Sequence, residues 1–354
     1  MKILYGVVGE GMGHSTRSSV LIRHLLENQH EVIIVASDRA YHYLKNNFPG
    51  CQILEIEGYK FIYEHGAVDR SRSLTELIKR LPEMLAKNVK QFIKLCGDFN
   101  PAVVISDFDS FAYTFGVLND LPIISIDNIQ MLNRSEIEID IPQKYQGDFK
   151  LAKAIVKSKL PGAQHYMITS FFYPKLRKER TTLYPPILRP EILNQETSTG
   201  NHVVVYQTST SDHELIETLK TSDCEFRVYG FRRNENHGNV ILKDFSEKGF
   251  VEDLASARAV IANGGFSLMS EAVFFGKPYL AMPVKKQFEQ VFNSLYLEKM
   301  GYGMFCEELT AETVRTFLSR TDEYARHLES YKQDGNELIK RGLDALLGEI
   351  ENKK

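Results

Sequence analysis

The segment KILYGVVGEGMGHSTRSSVLIRHLLENQHEVIIVA, Lys2 to Ala36, carries three patterns in succession. Lys2 to Val8 is an unbroken apolar run rich in Ile, Leu and Val, which reads as a strand buried on both faces of a parallel sheet. Gly9, Gly11 and Gly13 then interrupt it, and Val20, Leu21, Ile22, Leu25 and Leu26 follow at helical spacing. Glu31 to Ala36 is a second strand. A strand–loop–helix–strand unit of this kind opens a doubly wound α/β domain. Gln52 to Ile56, Ala102 to Ser106 and Pro122 to Ile126 extend it as further strands, while Leu74 to Leu95 reads as a helix interrupted or restarted near Pro82.

The pattern repeats downstream. Val203 to Tyr206 is a strand, Gln207 to Asp212 a polar loop, and His213 to Lys220 a helix with Leu215, Ile216 and Leu219 on one face. Glu225 to Tyr229, Val240 to Leu242, Ala259 to Ala262 and Tyr279 to Met282 continue as strands. Between the two halves, from Pro161 to Glu196, prolines cluster and periodicity loosens, and small polar residues follow at Thr197 to Gly200. The expected fold class is therefore α/β, with two Rossmann-like doubly wound domains facing a cleft. Their expected bounds are residues 1–185 and 201–334, joined by a linker at 186–200, with a C-terminal helix at about 335–354 packing back on the first. Open parallel sheets place ligands at the carboxyl ends of their strands, beside helix N-termini.

Composition narrows the classes. A chain of 354 residues with 43% hydrophobic and 25% charged residues is globular, two or three domains long and not disordered. No apolar run approaches the ~20 residues of a membrane span, and the N-terminal apolar stretch is too short for a signal peptide. Cys51, Cys96, Cys224 and Cys306 show no CxxC spacing and read as reduced cytosolic thiols, neither a disulfide frame nor a zinc site. A net charge of −3 gives no global signal for nucleic acid.

Several short constellations could carry chemistry. Gly9-Glu10-Gly11-Met12-Gly13-His14 fits a dinucleotide fingerprint poorly, because the third glycine would fall at His14. His14 itself sits on the first helical turn, where the dipole disfavours imidazolium and leaves a neutral ring able to accept a proton; a structural or solvated histidine is the plain alternative. Asp107-Phe108-Asp109 spells a D-x-D metal motif, but no further ligand cluster accompanies it. Asp107 ends a strand, where it could orient a histidine or simply cap a helix. Thr208, Ser209 and Thr210 open a helix, which suits a phosphate or ordinary capping. Asn263-Gly264-Gly265 follows a strand, a helix begins at about Ser267, and Glu271 lies one turn inside it, placed to accept two hydrogen bonds from a ribose diol. Gly276-Lys277-Pro278 turns into the next strand, and Glu289, Gln290 and Asn293 follow, a carboxylate and amides of the kind a sugar's hydroxyls require.

At these residues the chain resembles the GT-B glycosyltransferases, closest in pattern to the MurG-like and UDP-glycosyltransferase-like group, over about Ile3 to Gly303. The resemblance implies an inverting, metal-independent transfer of a GlcNAc-like or hexose unit from a UDP-sugar to an acceptor hydroxyl, lipid- or cell-envelope-linked among the candidates. It implies no cofactor and no nucleic-acid partner, in the cytoplasm or peripherally at the inner face of the membrane. His14 matches the base and Asp107 its partner acid. Gly11, Gly13, Thr208, Ser209, Thr210, Asn263, Gly264, Gly265, Phe266 and Ser267 match diphosphate-binding positions. Glu271 matches the ribose-binding acid, Glu289 and Gln290 the pair that reads the donor sugar, and Phe245 or Phe250 the residue flanking uracil. Glu10, Met12 and Arg17 fall on the acceptor side. The chain departs from the pattern at Asn263, where the plant-type signature has histidine, at Ser267 and Leu268, and at Glu10 and Met12, where MurG-like loops carry small residues. Lys79, Arg80, Lys87, Lys90 and Lys94, among the leucines of 74–95, read either as a solvated face or as a patch for peripheral membrane contact. Two rivals share the architecture: a UDP-sugar 2-epimerase and a non-catalytic nucleotide-sugar-binding protein.

Overall fold

The structure is a computed structural model that describes every residue except Glu10, 59–61, 65–66, 208–212 and Lys354, and the backbone alone at 62–64, 67–78, 96 and 98. The first half supplies β1 (Lys2–Val7), β2 (Glu31–Ala36), β3 (Gln52–Glu55), the hairpin β4 (Ile62–Glu64) and β5 (Ala67–Asp69), β6 (Val103–Asp107), β7 (Ile123–Asp127), β8 (His165–Thr169) and β9 (Thr181–Tyr184). Seven of these form one parallel sheet in the order β3-β2-β1-β6-β7-β8-β9. The second half supplies β10 (His202–Tyr206), β11 (Glu225–Tyr229), β12 (Glu235–His237), β13 (Val240–Lys243), β14 (Ala259–Ala262), β15 (Tyr279–Ala281) and β16 (Gly303–Phe305), in the order β12-β13-β11-β10-β14-β15-β16. Only β12, at one edge, runs antiparallel. Helices cover both faces of each sheet, so β6 and β7 are buried at every residue, as their unbroken apolar sequences require.

In both sheets the strand order reverses beside the first strand, between β1 and β6 and between β10 and β14. Those are the points where an open sheet leaves a crevice at its carboxyl edge. The two crevices face each other. Phe172, after β8, stacks on Tyr296 of the helix Phe288–Lys299 with ring centroids 3.8 Å apart, and the Tyr296 hydroxyl accepts from the Glu138 amide at 3.0 Å. The helix Glu337–Glu351 shares a buried core with β1 and β2 through Ile339, Leu343, Leu347 and Ile350. The Asn336 side chain pins its start, accepting from Leu188 N at 2.9 Å and donating to Leu188 O at 2.7 Å.

Two sequence readings need correction. The proline-rich stretch from Pro161 is not all connector, because β8 and β9 lie within it. Its prolines, Pro161, Pro174, Pro185, Pro186 and Pro190, all fall outside the two short strands, where no ladder donor is lost. The helix Arg70–Asp98 runs unbroken through Pro82. A proline costs its local hydrogen bonding, and roughly three turns before it and four after it hold the helix. On the described part, Arg80 and Lys87 pair with Glu57 at 2.7 and 3.0 Å, while Leu81, Leu85, Val89 and Ile93 stand exposed along one face.

Candidate active site

β1 and β6 are neighbours in register, with Val7 opposite Asp107. The loop after β1 therefore delivers the helix Met12–Glu27 directly over the end of β6. His14, in its first turn, places Nδ1 2.8 Å from Asp107 Oδ1. The carboxylate is not reserved for the histidine. Arg17, one turn further on, donates from Nε to Oδ2 at 2.9 Å and from Nη2 to Oδ1 at 2.5 Å, and the Ser18 hydroxyl donates to Oδ2 at 2.7 Å. Burial pushes the Asp107 carboxyl up, but the charges and hydrogen bonds of Arg17 and His14 outweigh it and hold the group well below the usual carboxylate range. Arg17 Nη2 also approaches His14 Nδ1 at 2.8 Å. Two tautomers are thus open to the ring: Nδ1–H donating to Asp107, with Nε2 left as an acceptor, or Nδ1 accepting from Arg17, with the proton on Nε2. Only the first makes a base of Nε2.

Arg17 is buried and does not present its head group to an acceptor. Its Nη1 donates to Asn128 Oδ1 at 2.6 Å, and Asn128 Nδ2 donates to Glu289 Oε1 at 2.9 Å, on the helix Phe288–Lys299. A continuous polar chain therefore joins His14, Asp107, Arg17 and Asn128 of the first sheet to Glu289 beside the second. Sequence reading overlooked Asn128. The signal was present: Asp127 ends a buried strand, as Asp107 ends its own, and the polar Asn128 follows it directly.

Beside the second sheet, β14 ends in Asn263-Gly264-Gly265 and the helix Phe266–Phe274. The Tyr279 hydroxyl donates to Asn263 O at 2.6 Å, and Asn293 Nδ2 donates to Gly264 O at 3.1 Å, so the loop's carbonyls are held from behind. Gly264 is dictated by packing, since a Cβ there would overlap the Gln290 carbonyl, while a Cβ at Gly265 would meet open space. The helix has no side-chain cap and no acid in its first turn. The same holds for Met12–Glu27, which Gly11 precedes. First-turn amides of a helix have no partner within it, so two uncapped N-termini meet at the cleft with their positive ends toward it. They meet closely, because a Cβ on Gly13 would overlap Ser267 Oγ. Gly13→Ala should therefore cost little, because the Ser267 hydroxyl can rotate away. Gly13→Val should lower kcat/KM about 10²-fold by pushing the two helices about 1 Å farther apart, and steady-state kinetics of both variants check this.

The remaining predicted residues are distributed as follows. Glu271 is 9% exposed and receives Arg189 Nε at 2.8 Å. Gln290 turns into its own loop, accepting from Val284 N at 2.9 Å and donating to Gln287 at 2.5 Å. Phe250 is 4% exposed within an aromatic cluster and Phe245 is 53% exposed, so only Phe245 offers a ring face to a base. Met12 is exposed. Glu10, Thr208, Ser209 and Thr210 lie outside the described residues. Asp109 caps the helix Ser110–Leu118, accepting from Ala112 N at 2.7 Å, and burial lifts its carboxyl to about 6. The D-x-D carboxylates thus serve separate partners. Among the described residues no group of three His, Cys, Asp or Glu side chains is placed to hold a metal ion, and no helix is long and apolar enough to cross a membrane.

A family model described as glycosyl transferase family 1 matches residues 1–322. An uncharacterized glycosyltransferase of Methanosarcina acetivorans is 24% identical over 395 aligned residues, covering 98% of this chain and 99% of that one. Among solved structures, CalG4, the calicheamicin glycosyltransferase, superposes with a TM-score of 0.67 at 15% identity, over 98% of each chain. Phytolacca americana UGT2, complexed with UDP-2-fluoro-glucose and pterostilbene, superposes with a TM-score of 0.64 at 12% identity, over 93% of this chain and 92% of that one. These structures share the two-sheet GT-B architecture. With the family model spanning both sheets and the cleft between them, the chain belongs to glycosyl transferase family 1 and is a glycosyltransferase.

Proposed function

We propose that the cleft binds a UDP-sugar and transfers its sugar, with inversion, to the hydroxyl of an acceptor. The observation that carries this reading is the meeting of two uncapped helix N-termini with His14 on one of them. The donor's diphosphate sits at the N-terminus of Phe266–Phe274, between Gly265 and Ser267, with Gly11 and Gly13 opposite; Thr208, Ser209 and Thr210 are assigned to it on the sequence pattern alone. Glu271 takes the ribose diol, Phe245 flanks the uracil, and Glu289 reads the sugar hydroxyls beside a loop that Gln290 braces through Val284 N and Gln287. His14, with Nδ1–H held by Asp107, accepts the acceptor's proton at Nε2 as the new glycosidic bond forms and the sugar–phosphate bond breaks. The charge arriving on the leaving UDP is met by helix dipole and amides. Residues 1–185 then form the acceptor side and 201–334 the donor side, with 186–200 as hinge. UDP as the nucleotide is favoured by the likeness to Phytolacca americana UGT2, whose complex contains a UDP-sugar. For the acceptor, the exposed stripe Leu81, Leu85, Val89 and Ile93, with Lys90 and Lys94 beside it, favours an amphiphilic molecule or one displayed at an anionic membrane surface.

The test is a panel of UDP-, GDP-, ADP- and TDP-sugars, followed by thermal shift and nucleotide release. Stabilisation by a UDP-sugar with slow release of UDP supports the reading and names the sugar. Conversion of UDP-GlcNAc to its 2-epimer would move the assignment to the epimerase, and a flat response to every nucleotide would overturn it.

A further inference from the structure

We infer that Arg189 is a positioning residue for donor binding, one that keeps Glu271 an aimed carboxylate able to accept both ribose hydroxyls. This rests on the reading of Glu271 given above. A carboxylate offers four lone-pair sites, whereas a protonated carboxyl donates where a second hydroxyl should donate to it. Glu271 is poorly placed to stay ionised unaided. It is nearly buried on the helix Phe266–Phe274, and burial pushes its carboxyl up. Glu247 and Glu191 press in the same direction, and Tyr279 of β15 faces it as a further acidic group.

Arg189 is the cation that opposes them. Its Nε donates to Glu271 Oε1 at 2.8 Å and its Nη2 to Oε2 at 3.3 Å, so the fork engages both oxygens and leaves each a further lone pair. The remaining Nη1 donates to Glu247, the first residue of the helix Glu247–Ser256, which fixes the plane of the guanidinium. Tyr43, on the helix Asp38–Asn47, also faces this group of charges. Arg189 belongs to neither sheet: it precedes Pro190 at the start of the short helix Pro190–Leu193, in the connector between the two halves. The ribose-binding carboxylate is therefore completed by the connector, and the donor site depends on the connector being seated.

The probe is UDP, titrated calorimetrically into wild type, Arg189→Met and Arg189→Lys from pH 5.5 to 8.5. The wild-type series carries the titration of UDP itself. Without Arg189 the Glu271 carboxyl rises further, so its ionised, binding form is lost as pH falls. The expected result is that Arg189→Met weakens UDP about 10–100-fold relative to wild type at pH 6. The deficit shrinks by up to about tenfold per pH unit toward pH 8.5, as release of one proton requires. Arg189→Lys keeps the charge and stays parallel to wild type. Arg189→Gln, which keeps a hydrogen-bond donor but not the charge, shows the same pH dependence as Met and serves if Met does not fold. A deficit in Arg189→Met and Arg189→Gln that is absent or constant across pH, with wild type binding UDP, would overturn the inference alone. Failure of wild type to bind UDP would overturn the reading of Glu271 and the inference with it.

Discussion

His14→Ala lowers kcat by about 10²–10⁴-fold and leaves the donor KM within about a few-fold of wild type, the pattern of a lost general base. The asymmetry follows from geometry. The imidazole lies at the entrance of the helix Met12–Glu27, 19% exposed, bonded to Asp107 and beside Arg17. It belongs to neither the loop Asn263-Gly264-Gly265 nor the helix Phe266–Phe274, where the donor's diphosphate is assigned. On the proposed mechanism its removal would deprive the acceptor hydroxyl of a proton acceptor while leaving the proposed anion site at the second helix whole. Turnover close to wild type would remove His14 from the mechanism. A matching loss of donor affinity would move it from base to diphosphate ligand.

Asp107→Ala is expected to be the most destabilising single change at the site, by about 3–5 kcal/mol, because it leaves a buried guanidinium without its principal counter-charge. Arg17 holds two hydrogen bonds to that carboxylate and is buried with it. Asp127 and Glu289 also act on Arg17, which places the loss toward the lower end of the range. The sign with pH follows from the depressed carboxyl. Asp107 contributes its stability at neutral pH and loses it only as pH falls below the ordinary carboxylate range, so the gap between variant and wild type narrows in acid. The double variant Asp107→Ala/Arg17→Met separates the two roles of the carboxylate. It should recover part of the stability, since the buried guanidinium goes with its counter-charge although Asp127 and Glu289 lose Arg17, and almost none of the activity, since nothing holds His14 Nδ1–H. Chemical unfolding and kcat on wild type, Asp107→Ala, Arg17→Met and the double variant check this. Recovery of both together would mean that Asp107 matters only as the partner of Arg17.

The fold was legible where one strand buried on both faces succeeded another. Lys2 to Val8, Ala102 to Ser106 and Val203 to Tyr206 read as strands and are strands to within one or two residues. Reading failed where tertiary context supplies what the local pattern lacks. β12 is Glu-Asn-His, three polar residues made a strand only by pairing with β13, and β8 and β9 hide among prolines that interrupt every window. At the site, His14, Asp107 and the Asn263–Glu271 segment could be singled out because each follows a strand's carboxyl end. Their partners could not. Arg17 read as an acceptor-side residue, not as the partner of Asp107, because its burial depends on Asp107 lying some 90 residues away in sequence. Arg189 stands in a connector with no periodicity, and only the structure brings it onto Glu271.

Amide hydrogen exchange with and without saturating UDP tests the central claim most directly, because it reports where the nucleotide sits. The account predicts slowed exchange at the start of Phe266–Phe274 and through the turn carrying Glu271, with a smaller effect at Gly13 and His14 across the cleft. Protection confined to other parts of the chain, or none at a UDP concentration that shifts the melting temperature, would contradict it.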